Sequence, residues 1–109
     1  MITYDKIYIN GAWVPSEGKG VLEVTNSATE EIIATIPDGT TGDVDKAVAA
    51  AKAAFEGWSA LPSEKRAEYL MKIHAGLEAR TQEIAEAVAR EVGMPVGMAT
   101  MIQVGLPKG

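Results

Sequence analysis

Residues 32–80 read IIATIPDGTTGDVDKAVAAAKAAFEGWSALPSEKRAEYLMKIHAGLEAR, and this stretch decides the fold class. Ile32, Ile33, Ala34, Thr35 and Ile36 make a short apolar run that Pro37 stops, which predicts a strand. Asp38-Gly39 then turns the chain. Thr40 is placed to cap a helix, and Asp43, three residues on, can complete a capping box. From there the apolar period lengthens. Val44, Ala47, Val48, Ala51, Phe55 and Trp58 recur at the three-and-four spacing of one helical stripe, and such a stripe has to pack on something. If Phe55 is core, truncating it to Ala costs about 3–5 kcal/mol, whereas a loss below about 1 kcal/mol means that it faces solvent. Gly57 loosens the end of this helix and Pro62 breaks it. Ser63 reads as the cap of a second helix with Ala67, Leu70, His74 and Leu77 inward and Glu68 placed four before Lys72 on the solvated face. The stretch therefore predicts a strand-to-helix crossover, and it holds no nucleophile with a matching base.

Working outward toward the N-terminus, Lys6–Ile9 and Ala12–Val14 are short strands joined by Asn10-Gly11, the dipeptide suited to a type I′ turn. Ser16 to Gly20 is a polar loop, and Val21 to Thr25 alternates as a half-buried strand does. The Gly18-Lys19-Gly20 within that loop lacks the Gly-Lys-Ser/Thr at a helix start that a phosphate-binding loop requires, so it is read as loop. Toward the C-terminus, Thr81 reads as the cap of a third helix with Ile84, Val88 and Val92 inward, Glu86 four before Arg90, and Gly93 as its stop. Pro95 can start a short fourth helix whose stripe would be Met98, Met101, Ile102 and Gly105, with Leu106-Pro107 as exit. The fold class expected is α/β: a short N-terminal β-hairpin and strands followed by three to four α-helices. Residues 1–37 are the β-rich part and 38–109 the helical layer of one domain.

Composition bounds the function. With 109 residues the chain is at most one domain, near the lower size at which a core is self-sufficient. Hydrophobic residues at 47% beside 23% charged residues describe a folding chain and exclude intrinsic disorder as the main state. The net charge of −5 and the scatter of the ten basic residues argue against nucleic acid. Zero cysteines remove disulfides, thiolate metal sites and thiol catalysis from what this chain does alone. The start, Met1-Ile2-Thr3-Tyr4-Asp5, lacks a secretory signal, and no apolar run approaches the roughly 20 residues of a membrane span. A cytoplasmic location without membrane contact is the expectation.

Candidate chemical groups are few. His74 is the only histidine, and a lone histidine on the inner side of a helix is more often packed than catalytic. Glu30-Glu31 are neighbours that on a strand would point to opposite faces, and Asp43 with Asp45 suit the first turn of a helix. Met94, Met98 and Met101 are read as gap-filling core rather than as an adaptable groove.

A register of short matches resembles the amino-terminal part of the NAD(P)-dependent aldehyde dehydrogenases. Tyr8-Ile9-Asn10-Gly11-Ala12-Trp13-Val14, Val24-Thr25-Asn26 with Ala28-Thr29, Ile33-Ala34-Thr35-Ile36-Pro37 and Asp43-Val44-Asp45-Lys46-Ala47-Val48 follow one another as in that family. The similarity continues through Ala50-Ala51, Ala54-Phe55, Trp58-Ser59, Arg66-Ala67, Leu70, Lys72-Ile73, Leu77-Glu78, Arg80, Glu91, Gly93 and Pro95. The family usually has Pro where Ser27 stands, often Gly where Glu30 stands, and commonly Ala where His74 stands; the first two departures are expected to loosen a turn. The resemblance implies part of a larger cofactor domain, here a single incomplete domain. It also implies that the family's nucleophilic cysteine, general-base glutamate, oxyanion-stabilising asparagine and dinucleotide segment lie beyond the matched stretch. Catalytic, cofactor-binding and metal residues expected in this chain are accordingly none. Some members hold a structural cation near the position of Glu91 and the backbone around Val24 and Thr25, but a single carboxylate assigns no ligand here. The implied parent oxidises aldehydes to carboxylic acids with NAD or NADP as a homo-oligomer, and this chain alone is expected to be inactive. Its partner would be the remainder of the subunit; the alternative is a small self-association module using the apolar helix faces.

Overall fold

A computed structural model describes residues 1–106, which form two compact units: Met1–Val24 with Ile32–Ala60, and Thr25–Glu31 with the chain from Leu61 onward. The expected exit at Leu106-Pro107 falls partly outside the described residues.

In the first unit, strands β1 (Ile2–Thr3), β5 (Ile32–Pro37) and β4 (Val21–Thr25, whose last residue belongs to the other unit) lie side by side in the order β1-β5-β4. β1 runs parallel to β5 with Ile2 opposite Ala34 and Thr3 opposite Thr35. β2 (Lys6–Ile9) and β3 (Ala12–Pro15) form the expected antiparallel hairpin. Asn10 and Gly11 take φ of 53° and 78°, the two positive angles that a type I′ turn demands. The turn sets Tyr8 opposite Trp13, whose rings meet edge to face at 5.2 Å between centroids.

Helix α1 (Thr41–Ser59) starts at Thr40 with the expected capping box: the Asp43 amide donates to Thr40 Oγ1 at 3.2 Å, and the Thr40 amide donates to Asp43 Oδ2 at 2.9 Å. Its small side chains Ala47, Ala50, Ala51 and Ala54 form one wall of a groove whose other wall is Tyr8 and Ile9 of the hairpin. The large stripe does not find the cover its pattern calls for. Val44, Val48 and Phe55 are 58%, 59% and 68% exposed, so Phe55 faces solvent in this chain.

The second unit holds α2 (Ser63–Ala79), α3 (Thr81–Val92), a single turn α4 (Val96–Met98) and a π-helical segment, Ala99–Gly105. Ser63 and Thr81 are first helical residues rather than caps. Pro62 and Arg80 occupy the cap positions without a side-chain cap bond, and the Thr81 hydroxyl donates back to the Glu78 and Leu77 carbonyls at 2.8 and 3.3 Å. Two helices meeting at Arg80 with no loop leave Thr81 spanned by the preceding turn, where its oxygen finds carbonyls rather than amides. On α2, Arg66, His74 and Leu77 are half-buried, whereas Ala67 and Leu70, expected inward, are exposed. Lys65, not Lys72, pairs with Glu68 at 3.1 Å, while Lys72 lies over the Tyr69 ring at 5.4 Å. Gly93 ends α3 with φ of 72°, as expected.

The buried core lies here: Ala85, Ala99 and Val104, with Ile84, Val88 and Met94 packed against them. Val92, Met98, Met101 and Ile102 are exposed, contrary to the expected stripes. The reason is the π geometry. Bonds to the fifth residue widen the turn, so the inward positions become Ala99 and Val104, five apart, and the α-helical stripe loses its phase.

Three substitutions separate these environments in urea unfolding of the chain. Phe55→Ala costs less than about 1 kcal/mol because the ring is exposed, and Val104→Ala costs about 2 kcal/mol through lost burial and a cavity. Glu30→Gly gains about 1 kcal/mol, because Glu30 sits at φ 64°, a left-handed angle that favours glycine.

Candidate functional site

The most constructed polar cluster is a clasp in the first unit, formed where the loop after β3 meets the start of α1. The Asp43 side chain, buried at 5% exposure, has both oxygens engaged. Oδ1 accepts from the Glu17 amide at 2.9 Å, and Oδ2 accepts from the Thr40 amide and, in a short bond, from the Ser16 hydroxyl. Ser16 Oγ in turn accepts from the Gly18 amide at 3.1 Å. Glu17 then reaches Lys46, one turn into the helix, in a half-exposed ion pair of 2.7 Å.

The electrostatics follow. The Ser16 hydroxyl, then the Glu17 and Thr40 amides, stabilise the carboxylate and hold Asp43 down at about 2 from an ordinary 3.8, against a smaller opposing cost of burial. The hydrogen bond and charge of Glu17 raise Lys46 above its ordinary 10.5. A carboxylate so weakly basic, with its lone pairs spent on the protein, is a poor proton acceptor for a substrate. The cluster fastens a loop to a helix end.

The same loop disposes of the phosphate-cradle possibility. A Cβ on Gly18 would come within 2.6 Å of Thr40 Cγ2, and one on Gly20 within 3.3 Å of Asp38 Cβ, so these glycines serve close approach to the neighbouring turn. Asp38 and Asp43 beside them present charge of the wrong sign for a phosphate.

In the second unit a tight turn occupies residues 26–31. Asn26 Oδ1 accepts from the Ala28 and Thr29 amides at 2.9 and 3.1 Å, and the Glu30 amide donates to the Asn26 carbonyl at 2.8 Å. Glu30 and Glu31 therefore sit in a turn before β5 rather than on a strand. Ser27 donates its amide to the Arg90 carbonyl at 2.8 Å and its hydroxyl to the Glu91 carbonyl, satisfying two groups at the end of α3. This departure from the usual Pro ties the turn down where loosening was expected, because a proline has no amide hydrogen to give.

The remaining candidates stay apart. His74 Nε2 lies 3.5 Å from Glu78 Oε2 on the same helix, Asp45 is exposed, and Met94 is half-buried while Met98 and Met101 are exposed. Among the described residues no three His, Cys, Asp or Glu side chains gather into a metal-binding group. Glu91 is exposed, and its backbone carbonyl accepts from the Ser27 hydroxyl. No described helix is long and apolar enough to cross a membrane. Arg66, visible in the sequence only as part of the family register, has a buried Nε with no hydrogen-bond partner among the described residues.

Known proteins converge on one family. The aldehyde dehydrogenase family profile matches residues 13–106. The 3-succinoylsemialdehyde-pyridine dehydrogenase of a Pseudomonas species is 40% identical over 107 residues, 98% of this chain and 21% of that protein. The crystal structure of an aldehyde dehydrogenase from Bartonella henselae superposes with a TM-score of 0.94 at 35% identity, covering 99% of this chain and 23% of that one. Aldehyde dehydrogenase C of Pseudomonas syringae, solved as a Cys-to-Ala mutant complexed with NAD+ and octanal, gives 0.91 at 40% identity, covering 95% of this chain and 21% of that one. The chain belongs to the aldehyde dehydrogenase family. It spans about a fifth of the length of the relatives it matches.

The clasp carries a pH signature. Because folding lowers the Asp43 pKa from 3.8 to about 2, its contribution is complete above 3.8 and is lost as the pH falls through about 2. Asp43→Asn is therefore expected to flatten the acid limb of the stability curve, read by urea unfolding at stepped pH, and an unchanged limb would dismiss the clasp.

Proposed function

We propose that this chain is the leading portion of an NAD(P)-dependent aldehyde dehydrogenase subunit, supplying scaffold and none of the reacting groups. The observation that carries the proposal is the pairing of a family match over nearly the whole chain with a complete lack of cysteine. In the family that the sequence resembles, a cysteine thiolate attacks the aldehyde, hydride passes to NAD(P)+ and water releases the acid. A chain without a thiol cannot form that first bond. The clasp around Asp43 supports a scaffold role, since its groups are consumed internally. A cytoplasmic, homo-oligomeric parent completes the proposal, with the remainder of the subunit as the first partner.

A second function class, a small association module without catalysis, is favoured by one observation: the large apolar side chains of α1 and α2 are exposed, among them Val48, Phe55, Leu70 and Ile73. Light scattering of the isolated chain separates this class, since a module forms a defined dimer or small oligomer.

The chain mixed with NAD+ and an aldehyde is expected to give no reduced cofactor by absorbance and no heat of NAD+ binding by calorimetry. Turnover by the chain alone would overturn the scaffold proposal.

A further inference from the structure

Asn10 and Gly11 bring together two groups that cyclise readily in a polypeptide: a side-chain carboxamide and, next in the chain, an amide nitrogen with no side chain to crowd it. Both residues are exposed, and a Cβ on Gly11 would meet nothing within 4 Å. The ladder of the hairpin closes on Ile9 opposite Ala12, which leaves the Gly11 amide outside it. The chain has one other asparagine, and its surroundings are the opposite. Asn26 Oδ1 accepts from the Ala28 and Thr29 amides, and the next nitrogen, that of Ser27, donates to the Arg90 carbonyl at 2.8 Å.

The closed turn holds the reacting atoms of Asn10-Gly11 apart. With φ of 53°, Asn10 is in the left-handed region, where ψ lies at about +30 to +60°. At that ψ the Cα–Cβ bond is nearly anti to the bond from the carbonyl carbon to the Gly11 nitrogen, so the side chain points away from the nitrogen that would attack it. Ring closure needs both on one side, and hence a rotation of ψ that opens the turn. Little resists that rotation. The hairpin is a two-stranded sheet of its own, and its Tyr8 and Trp13 rings are 61% and 65% exposed. A lone two-stranded hairpin is marginal in water, and such segments open at the low end of the free energies found within a protein.

We propose that Asn10-Gly11 is a self-modifying site, at which Asn10 deamidates hydrolytically through a succinimide at a rate gated by opening of the β2–β3 hairpin. The Gly11 nitrogen attacks Cγ of Asn10 and gives its proton to solvent. The new N–Cγ bond closes a five-membered ring as the carboxamide C–N bond breaks and ammonia leaves. Water then adds to either ring carbonyl and opens it, to aspartate at one and isoaspartate at the other, with no oxidant or reductant involved. Each product adds one negative charge to the chain's −5. The two differ in shape. Aspartate followed by glycine suits the same turn. Isoaspartate carries the side-chain methylene in the backbone, which lengthens the two-residue loop and parts Tyr8 from Trp13.

The chain is held in mildly alkaline buffer beside a synthetic peptide of residues 4–17, and peptide mass spectrometry follows the exchange of ammonia for water at each asparagine. Isoaspartate is read by methyl transfer from S-adenosylmethionine with an isoaspartate methyltransferase. Conversion of Asn10 is expected about threefold or more slowly than in the peptide, with Asn26 unconverted over the same period. The lack of cysteine provides a gate that can be locked. Tyr8 and Trp13 stand directly opposite each other. Tyr8→Cys combined with Trp13→Cys places two thiols on a non-hydrogen-bonded pair with Cα atoms about 4.5 Å apart, within disulfide range. Oxidised, this variant is expected to convert about fivefold or more slowly than the same variant reduced. In the unsubstituted chain, the isoaspartate form separated by ion exchange is expected to lose the nuclear Overhauser contact between the Tyr8 and Trp13 rings, and Asn10→Asp to keep it.

No conversion of Asn10 while the peptide reacts to completion overturns the site. Equal rates for chain and peptide, or for the oxidised and reduced variant, overturn the gate. Conversion of Asn26 as fast as Asn10 overturns selection by the surrounding structure, and a Tyr8–Trp13 contact that survives in the isoaspartate form overturns the opening of the hairpin.

Discussion

One buried carboxylate organises the first unit. Asp43 gathers the Ser16 hydroxyl and the Glu17 and Thr40 amides, and so ties the loop after the hairpin to the turn after β5 and to the start of α1. Each donor would otherwise be an unsatisfied group at a helix start or loop bend, and the carboxylate adds negative charge where the helix dipole favours it. Glycines at 18 and 20 permit the approach, because a side chain at 18 would collide with Thr40 and one at 20 would crowd Asp38. Beyond this clasp α1 is held lightly, with only Gly42, Asp43 and Ala50 withdrawn from solvent.

The second unit is organised by packing. Three small or medium residues, Ala85, Ala99 and Val104, are fully withdrawn from water, and the π-helical segment brings the last two onto one face. Ser27 adds a polar tie, its amide and hydroxyl meeting carbonyls that the end of α3 leaves open. So small a core, beside so many exposed large apolar groups, is the physical basis for treating the chain as scaffold for a larger body.

What could be read beforehand was local. Asn10-Gly11 predicts its own turn because few other residues tolerate two positive φ angles, and Thr40 with Asp43 predicts its own cap because the spacing matches the open amides. Gly93 stops α3 for the same kind of reason. β1 escaped notice because two residues carry no period and its partner is thirty-two positions away. Ser63 and Thr81 carry a capping side chain in the wrong place, since Pro62 and the loopless joint at Arg80 had taken the cap positions. In the clasp, Thr40 and Asp43 were visible as a pair, whereas Ser16 and Glu17 lie twenty-seven and twenty-six positions from Asp43 and joined them only on folding.

The sequence by itself determined the four longer strands and the first three helices in their order, the hairpin turn, the first helix cap, the family resemblance and the lack of a thiol, because each follows from residues close in the chain or from composition. Tertiary structure alone decided which apolar stripes are covered. The pattern of α1 states that it is amphipathic but not what lies against it, and the pattern after Pro95 assumes an α-helical turn that the π geometry replaces. Burial depends on what arrives from elsewhere in the chain, and no local period carries that information.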